Sequence, residues 1–261
     1  MKVFLFALFV VSFAVAQTPK NYGCTLEYRR MHGYDSHNNC SKGFDNMYQE
    51  DFPLARKEFY CGDEFTEQKI PLHKNFDPSE FLKRIEKGKI ESETHQYFRT
   101  ISREHIVLKG KWIATLSVEK KNECSTDYHN LFPALQIINA NRGSLDFSDQ
   151  PEKMGGRVYG KHCETTYHAP PGMLNGGSNP NAEFRPRDAI KGIIGRTFLY
   201  MDSIGCYKMS VNQRIKYEKW DRKYGVTKDE CEKEKKVFEY QGAHNTYTQK
   251  KCIDMFGPEY Q

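Results

Sequence analysis

The sequence lacks the features of several large protein classes. After residue 16, no apolar stretch approaches the length of about 17 to 25 residues that a membrane-spanning helix needs. It contains no internal repeat and no nucleotide-binding glycine loop. Solenoid folds and enzymes built on such loops are therefore disfavoured, and we expect no association with a membrane.

A strong charge of one sign is also missing. The 261 residues include 39 Lys and Arg and 34 Asp and Glu, which gives a net charge of +5 with histidine neutral. This charge is too small to identify the partner. In contrast, 38% of the residues are apolar and 13% are aromatic, which excludes disorder over most of the chain and predicts a packed core.

The eight cysteines form no C-x-x-C pair, which argues against zinc binding and thiol redox chemistry. At the amino terminus, Lys2 precedes an apolar run over residues 3–15, and Ala14 and Ala16 fit a cleavage site. This pattern predicts a signal peptide, cleaved after Ala16, because the run is short for a membrane anchor. We therefore expect a secreted protein in which an even number of cysteines forms four disulfides.

The rest of the chain predicts one mixed α+β domain, mostly helical. Residues 17–45 form a polar extension, residues 46–261 the domain, and the glycine- and proline-rich residues 150–181 an irregular excursion within it. Strands are predicted for residues 97–101, 105–108 and 112–118. A short helix is predicted with Pro133 at its first position and Gly143 after its end. Longer helices follow over residues 188–204 and after two capping boxes, Ser210 with Gln213 and Thr227 with Glu230.

One pair of neighbouring residues is a candidate for a catalytic site. Glu104 and His105 place a carboxylate and an imidazole side by side at the mouth of an apolar strand, and Asp127 and His129 follow later. A structural explanation is still available: an exposed Glu-His dipeptide, with Asp127 and His129 capping a helix. Spacing alone does not decide between the two interpretations.

A series of motifs resembles a known family. Residues 103–107 (Arg-Glu-His-Ile-Val), residues 127–133 (Asp-x-His-Asn-Leu-x-Pro) and residues 139–143 (Asn-x-x-Arg-Gly) are similar to the signature of the endonuclease I family. These are secreted or periplasmic non-specific nucleases of the His-Me finger (ββα-metal) class. The similarity extends in order over roughly residues 46–252 and includes residues 59–62, 191–201, 220–224 and 241–245.

The resemblance implies a site and a chemistry. His105 matches the general base, and Glu104 and Asn139 match the ligands of one divalent cation, Mg²⁺ or else Ca²⁺ or Mn²⁺, clamped between a two-stranded ribbon and a helix. It also implies hydrolysis of DNA, and of RNA, to 5′-phosphate ends. Neighbouring residues of a regular strand point to opposite faces, so the strand must end or bulge for Glu104 and His105 to serve one site.

Further residues are assigned on the same basis. Arg142 is the best candidate for a phosphate contact, with a salt bridge as the alternative, and Lys120 and Lys121 are candidates in what looks like a short loop. Cys231 and Cys252 match a disulfide near the family's carboxyl end. Ser125 replaces a carboxylate that a bacterial relative has near the metal, so an outer ligand is missing.

We therefore expect a monomeric, secreted, metal-dependent endonuclease that binds nucleic acid through phosphates with little sequence preference. The alternative is a catalytically inactive module of the same fold that holds nucleic acid or another polyanion. A different metal-dependent phosphoesterase is disfavoured, because no cluster of extra carboxylates or histidines for two metals is evident.

Overall fold

The computed structural model describes residues 56–66, 71–72, 74–76, 100–112, 114–149, 157–159, 162–168 and 182–261. The predicted signal peptide and extension, residues 1–45, lie outside the described residues, as does most of the predicted excursion over residues 150–181. The described part combines six α-helices with two small sheets. The prediction of a mixed α+β fold is confirmed.

A ribbon and a helix form the first half of the fold. Strand β1 (Ile101–His105) pairs antiparallel with strand β2 (Leu131–Leu135), so that Ile101 faces Leu135 and His105 faces Leu131. Between the strands lie two 3₁₀ turns (Lys109–Lys111 and Tyr128–Asn130) and helix α1 (Val118–Thr126). Helix α2 (Gln136–Arg142) follows β2 directly. The chain thus contains the predicted unit of two strands and a helix.

Helix α2 ends at Gly143, as predicted, where the backbone φ is 49° and a residue without Cβ is favoured. Its predicted start is wrong. Pro133 lies within β2, opposite Arg103, rather than in the helix. Proline has no N–H to donate, but its carbonyl oxygen accepts a hydrogen bond from the Phe59 N–H at 2.8 Å. Pro133 therefore marks an edge position of a strand.

The predicted strand over residues 112–118 is also wrong. So is the predicted strand over residues 105–108, because β1 ends at His105 and residues 106–108 lie beyond it. Near the end of residues 112–118, the Ser117 side chain accepts a hydrogen bond from the Lys120 N–H and caps helix α1. Lys120 and Lys121 consequently lie in a helix and not in the loop expected from the sequence.

Four helices form the second half: α3 (Asp188–Ser203), α4 (Val211–Lys223), α5 (Lys228–Gln241) and α6 (Thr246–Phe256). The predicted capping box of Ser210 and Gln213 is present. Thr227 caps α5, but the Glu230 carboxylate pairs with Arg196 instead of closing a box. No helix of the described residues combines the length and the apolar character that crossing a bilayer requires.

The two halves share one core. Its buried side chains include Tyr60, Leu135, Ile138, Phe198 and Trp220. A second sheet of three short antiparallel strands adds to it, in the order β3 (Arg157–Val158), β4 (Thr166–His168) and β5 (Glu183–Arg185). The ribbon is thereby supported from the helical half, which packs on the same apolar cluster.

Three disulfides join distant parts of the chain: Cys61–Cys163, Cys124–Cys206 and Cys231–Cys252. The last of these is the pair that the resemblance implied, which is confirmed. The other two cysteines, Cys24 and Cys40, lie outside the described residues, so the predicted fourth disulfide stays a prediction.

Candidate active site

A cleft of about 650 Å³ opens at the end of β1. Its walls come from β1, the turn Lys109–Lys111 and helix α1. Three cationic side chains line it, those of Arg103, Lys109 and Lys121, and none of the described lining residues is acidic. Burial, together with the charge of Arg103, lowers the pKa of Lys109. The cleft therefore favours an anionic ligand.

His105 is partly buried in this cleft and is held in one orientation. Its Nε2 lies 2.9 Å from the backbone oxygen of Ser125, which can only accept, so Nε2 must carry the proton. Nδ1 then keeps its lone pair. Burial lowers the pKa of His105 to about 4, against the opposing effect of the hydrogen bond to Ser125. The imidazole is consequently neutral at pH 7 and presents Nδ1 as a base.

Glu104 points to the other face of β1 and is only 1% exposed. The Tyr60 hydroxyl donates a hydrogen bond to its Oε1 at 2.6 Å, and Arg142 forms an ion pair with the same oxygen. Burial raises the pKa of Glu104, although Arg142 and Tyr60 oppose this shift. Oε2 accepts no hydrogen bond from a described residue, which leaves one carboxylate oxygen available as a ligand.

Arg142 is also 1% exposed, and it binds the chain where β1 ends. Besides Glu104, its guanidinium donates to the backbone oxygens of His105 at 2.7 Å and Ile106 at 2.6 Å, and it lies over the Phe147 ring at 4.3 Å. This is the salt bridge that the sequence left open as the alternative. Arg142 does not line the cleft, and its described contacts are all internal.

Asn139 lies one turn before Arg142 on α2 and contacts the same strand. Its Nδ2 donates to the Ser102 Oγ at 3.0 Å and to the Arg103 backbone oxygen at 3.2 Å. These bonds orient the side-chain amide and leave Oδ1 without a donor among the described residues. Asn139 and Glu104 thus each present one oxygen where α2 packs on β1.

The two free oxygens suit a hard cation such as Mg²⁺, for which water and substrate oxygens would complete the shell. In the described part of the chain, this site included, no group of three or more His, Cys, Asp or Glu could hold a metal ion. Glu104 and His105 contact different groups, since they point to opposite faces. The strand ends at His105, and Glu104 and Asn139 do not line the cleft that contains His105.

The exit of the chain from β1 is fixed by Asn130, a residue of the family motif. Its side chain accepts from the Val107 N–H at 2.7 Å and donates to the Val107 oxygen at 3.0 Å. Two other motif residues are structural. Asp127 caps the turn Tyr128–Asn130, and His129 forms an ion pair with Glu234 at 3.2 Å.

Of the two candidate lysines, only Lys121 lines the cleft, where its Nζ donates to the Ala114 oxygen at 3.1 Å. Lys120 forms an ion pair with Glu123 at 3.4 Å. Sequence reasoning did not identify Tyr60, Lys109 or Trp112 as parts of the site. Tyr60 lies within a matched motif, residues 59–62, but its hydroxyl contact with Glu104 joins segments far apart in sequence.

Comparison with known proteins identifies the family of this chain. The model of the endonuclease I family matches residues 33–252, which includes part of the segment predicted as an extension. An extracellular deoxyribonuclease of Aeromonas hydrophila is 33% identical over 131 residues, which are 50% of this chain and 52% of the relative.

Two further relatives are similar over comparable lengths. An endonuclease-1 of Buchnera aphidicola subsp. Baizongia pistaciae is 32% identical over 49% of this chain and 47% of its own length. A periplasmic deoxyribonuclease of Aeromonas hydrophila is 32% identical over 50% of each chain. The chain spans about half the length of these curated relatives. The family match, in contrast, covers most of the chain, and the protein therefore belongs to the endonuclease I family.

Proposed function

We propose that this protein is a secreted endonuclease that hydrolyses phosphodiester bonds of DNA, and also of RNA, with one divalent cation per site. The family membership supports this proposal, as do the relatives named extracellular or periplasmic deoxyribonuclease. The observation that carries it is the fixed orientation of His105, whose Nδ1 is the free nitrogen in a cationic cleft.

In this proposal, His105 takes the proton from a water molecule that attacks phosphorus. A neutral imidazole in this role contributes roughly 10²- to 10⁴-fold to the rate. The attacking and departing oxygens of an in-line displacement lie on opposite sides of phosphorus. His105 and Glu104 point in opposite directions at the end of β1. In this proposal His105 acts on the attacking water on one side of phosphorus, and Glu104 serves the departing oxygen on the other side.

Glu104 and Asn139 would hold the cation through Oε2 and Oδ1. A bound Mg²⁺, Ca²⁺ or Mn²⁺ supplies a Lewis acid for the phosphoryl oxygen and for charge on the departing 3′ oxygen, which leaves a 5′-phosphate end. Arg142 positions Glu104 by pairing with Oε1. Tyr60 donates to the same oxygen and thereby keeps Oε2 free.

Substrate binding would rest on phosphates rather than on bases. Lys121, Arg103 and Lys109 offer positive charge along the cleft, and contacts to the sugar-phosphate backbone carry no sequence information. We therefore propose that the enzyme has little sequence preference. We also propose that it acts as a monomer.

The test is supercoiled plasmid incubated with purified protein, either with Mg²⁺ or with EDTA. Wild type should cut only with the metal, and His105→Ala should lower the rate by about 100-fold or more because it removes the base. His73→Ala is the control, since His73 belongs to none of the matched motifs, and it should cut at the wild-type rate.

Equal cutting by wild type and His105→Ala would overturn the mechanism. If wild type bound DNA without cutting it in Mg²⁺, Ca²⁺ or Mn²⁺, the inactive binding module would be the correct interpretation instead.

A further inference from the structure

The cleft beside His105 has an aromatic wall. The Trp112 indole N–H donates to the Val107 oxygen at 3.3 Å, and its ring meets the His105 ring edge to face, with the ring centres 6.4 Å apart. The rest of the side chain is partly buried and packs against the core. The indole is therefore held in a fixed orientation at the position where a substrate would meet the base.

Cations line the same cleft as this aromatic ring. Arg103 and Lys109 form no ion pair with a carboxylate of the described residues, and Lys121 donates only to a backbone oxygen. Aromatic side chains interleaved with unpaired cations are the combination that binds single-stranded nucleic acid, because bases stack on the rings and phosphates contact the charges.

The size of the cleft favours one strand over two. A volume of about 650 Å³ lies within the range of pockets that enclose a small ligand. A base of a single strand can enter such a space together with its phosphates, whereas a duplex can contact only the mouth of the cleft while its bases stay stacked. For a base of a duplex to enter, it would have to leave its stack, which costs free energy.

We propose that Trp112 stacks on the nucleobase next to the phosphate on which His105 acts, so that the cleft takes a locally unpaired strand. This inference rests on the proposed function and deepens it, because it specifies the substrate class. Trp112 is then a specificity-determining residue that acts through a base, whereas His105 acts on the phosphate.

The experiment uses a DNA oligonucleotide with phosphorothioate at every linkage except the central one, so that cleavage occurs at one place. Two further oligonucleotides have an abasic residue beside this linkage, one on its 5′ side and one on its 3′ side. The ratio kcat/KM is measured for all three with wild type, Trp112→Leu and Trp112→Phe. The intact oligonucleotide is also measured as a duplex.

Removing the base and removing the indole should each lower kcat/KM by roughly 5- to 140-fold, the range that stacking of one base implies. In the Trp112→Leu variant, the abasic oligonucleotide on which wild type is impaired should have nearly the same kcat/KM as the intact one, because the stacking contact is already absent. Trp112→Phe, which keeps an aromatic face, should recover most of the activity. Wild type should prefer the single strand to the duplex, and Trp112→Leu should narrow this preference.

If the two losses multiply, or if the phenylalanine variant is as impaired as the leucine variant, the inference is wrong and Trp112 only supports the fold. An abasic residue that leaves wild type unaffected on either side would overturn it even if the leucine variant did not fold. These outcomes leave the proposed function intact. That function fails separately, if wild type cuts no nucleic acid in Mg²⁺.

Discussion

The Arg142 guanidinium binds three successive parts of one short stretch of chain: the Glu104 carboxylate and the backbone oxygens of His105 and Ile106. A buried ion pair gains little stability overall, since both charges lose water. Its value here is geometric. It places the charge of Glu104 and the end of β1 in a fixed relation, which is what neighbouring residues with different tasks require.

Loss of Arg142 should therefore be costly, since Glu104 would keep its burial without its partner. We expect Arg142→Met to lower the free energy of unfolding by about 3 to 5 kcal/mol. The control, Arg103→Met, makes the same chemical change at an exposed position and should cost less than about 0.5 kcal/mol. Urea unfolding followed by tryptophan fluorescence measures both. Similar losses for both variants would contradict the role of the buried pair.

Asn139 gives a prediction about the metal. If Oδ1 is a ligand, Asn139→Ala should raise the Mg²⁺ concentration for half-maximal plasmid cutting by about 10-fold or more, the loss typical of residues that hold or orient a metal. Asn139→Asp retains an oxygen donor, so its requirement should stay near the wild-type value. An unchanged Mg²⁺ titration in the alanine variant would remove Asn139 from the metal site.

At the scale of elements, the unit of β1, β2 and α2 could be predicted from the sequence only in part. Short motifs with fixed spacing singled out Glu104, His105 and Asn139 as candidates, and Asn139 contacts β1 as expected. The strand itself was displaced, since strands were predicted over residues 97–101 and 105–108 and β1 covers Ile101–His105. The boundary between β2 and α2 was not predicted either. Pro133 suits the first turn of a helix as well as an edge strand, and only its opposition to Arg103 decides between them.

Contacts between distant segments explain the remaining differences. Helix α1 depends on Ser117 as a cap, a signal masked by apolar residues that favour a strand over residues 112–118. Likewise, Tyr60 reaches Glu104 across 44 residues, and His105 is oriented by a backbone oxygen, which belongs to no residue type in particular. Patterns of local sequence carry no information on such pairs.

The turn Tyr128–Asn130 is attached to α5 by a buried cluster. Glu234 contacts His129 at 3.2 Å, His244 at 3.0 Å and the Asn245 N–H at 2.9 Å. Burial alone would raise the pKa of Glu234, but the two histidines outweigh this effect and lower the pKa to about 2. The glutamate is thus better stabilised as an anion in the folded protein than in the unfolded chain.

The ionised Glu234 makes the free energy of unfolding depend on pH. A carboxylate with a lowered folded pKa contributes stability that is complete above its ordinary pKa of 4.5 and is lost as the pH falls towards 2. The difference in the free energy of unfolding between wild type and Glu234→Gln should be of the order of 2 to 3 kcal/mol at pH 6 and should shrink below pH 4.5. Urea titrations across this range measure it. Glu239→Gln, a change on the exposed side of the same helix, should show no such trend.

At the scale of the whole molecule, the disulfides connect the site to the helical half. Cys124 precedes Ser125 on α1, and its bond to Cys206 attaches this helix to the chain just after α3. The Ser125 oxygen that orients His105 is therefore held by a covalent link. The Cys231–Cys252 bond, in contrast, joins α5 to α6, neither of which lines the cleft.

Removing each bond by paired alanine substitution should separate stability from activity. The Cys124–Cys206 bond spans 82 residues and the Cys231–Cys252 bond 21, so chain entropy predicts losses of about 4.5 and about 3.3 kcal/mol. At a temperature where circular dichroism shows both variants folded, only loss of the first bond should lower kcat for plasmid cutting, by about 10-fold or more, because a small displacement of a catalytic group is costly. Equal kcat values would show that the core alone positions α1, whereas a loss confined to Cys124→Ala with Cys206→Ala would show that the disulfide orients the base.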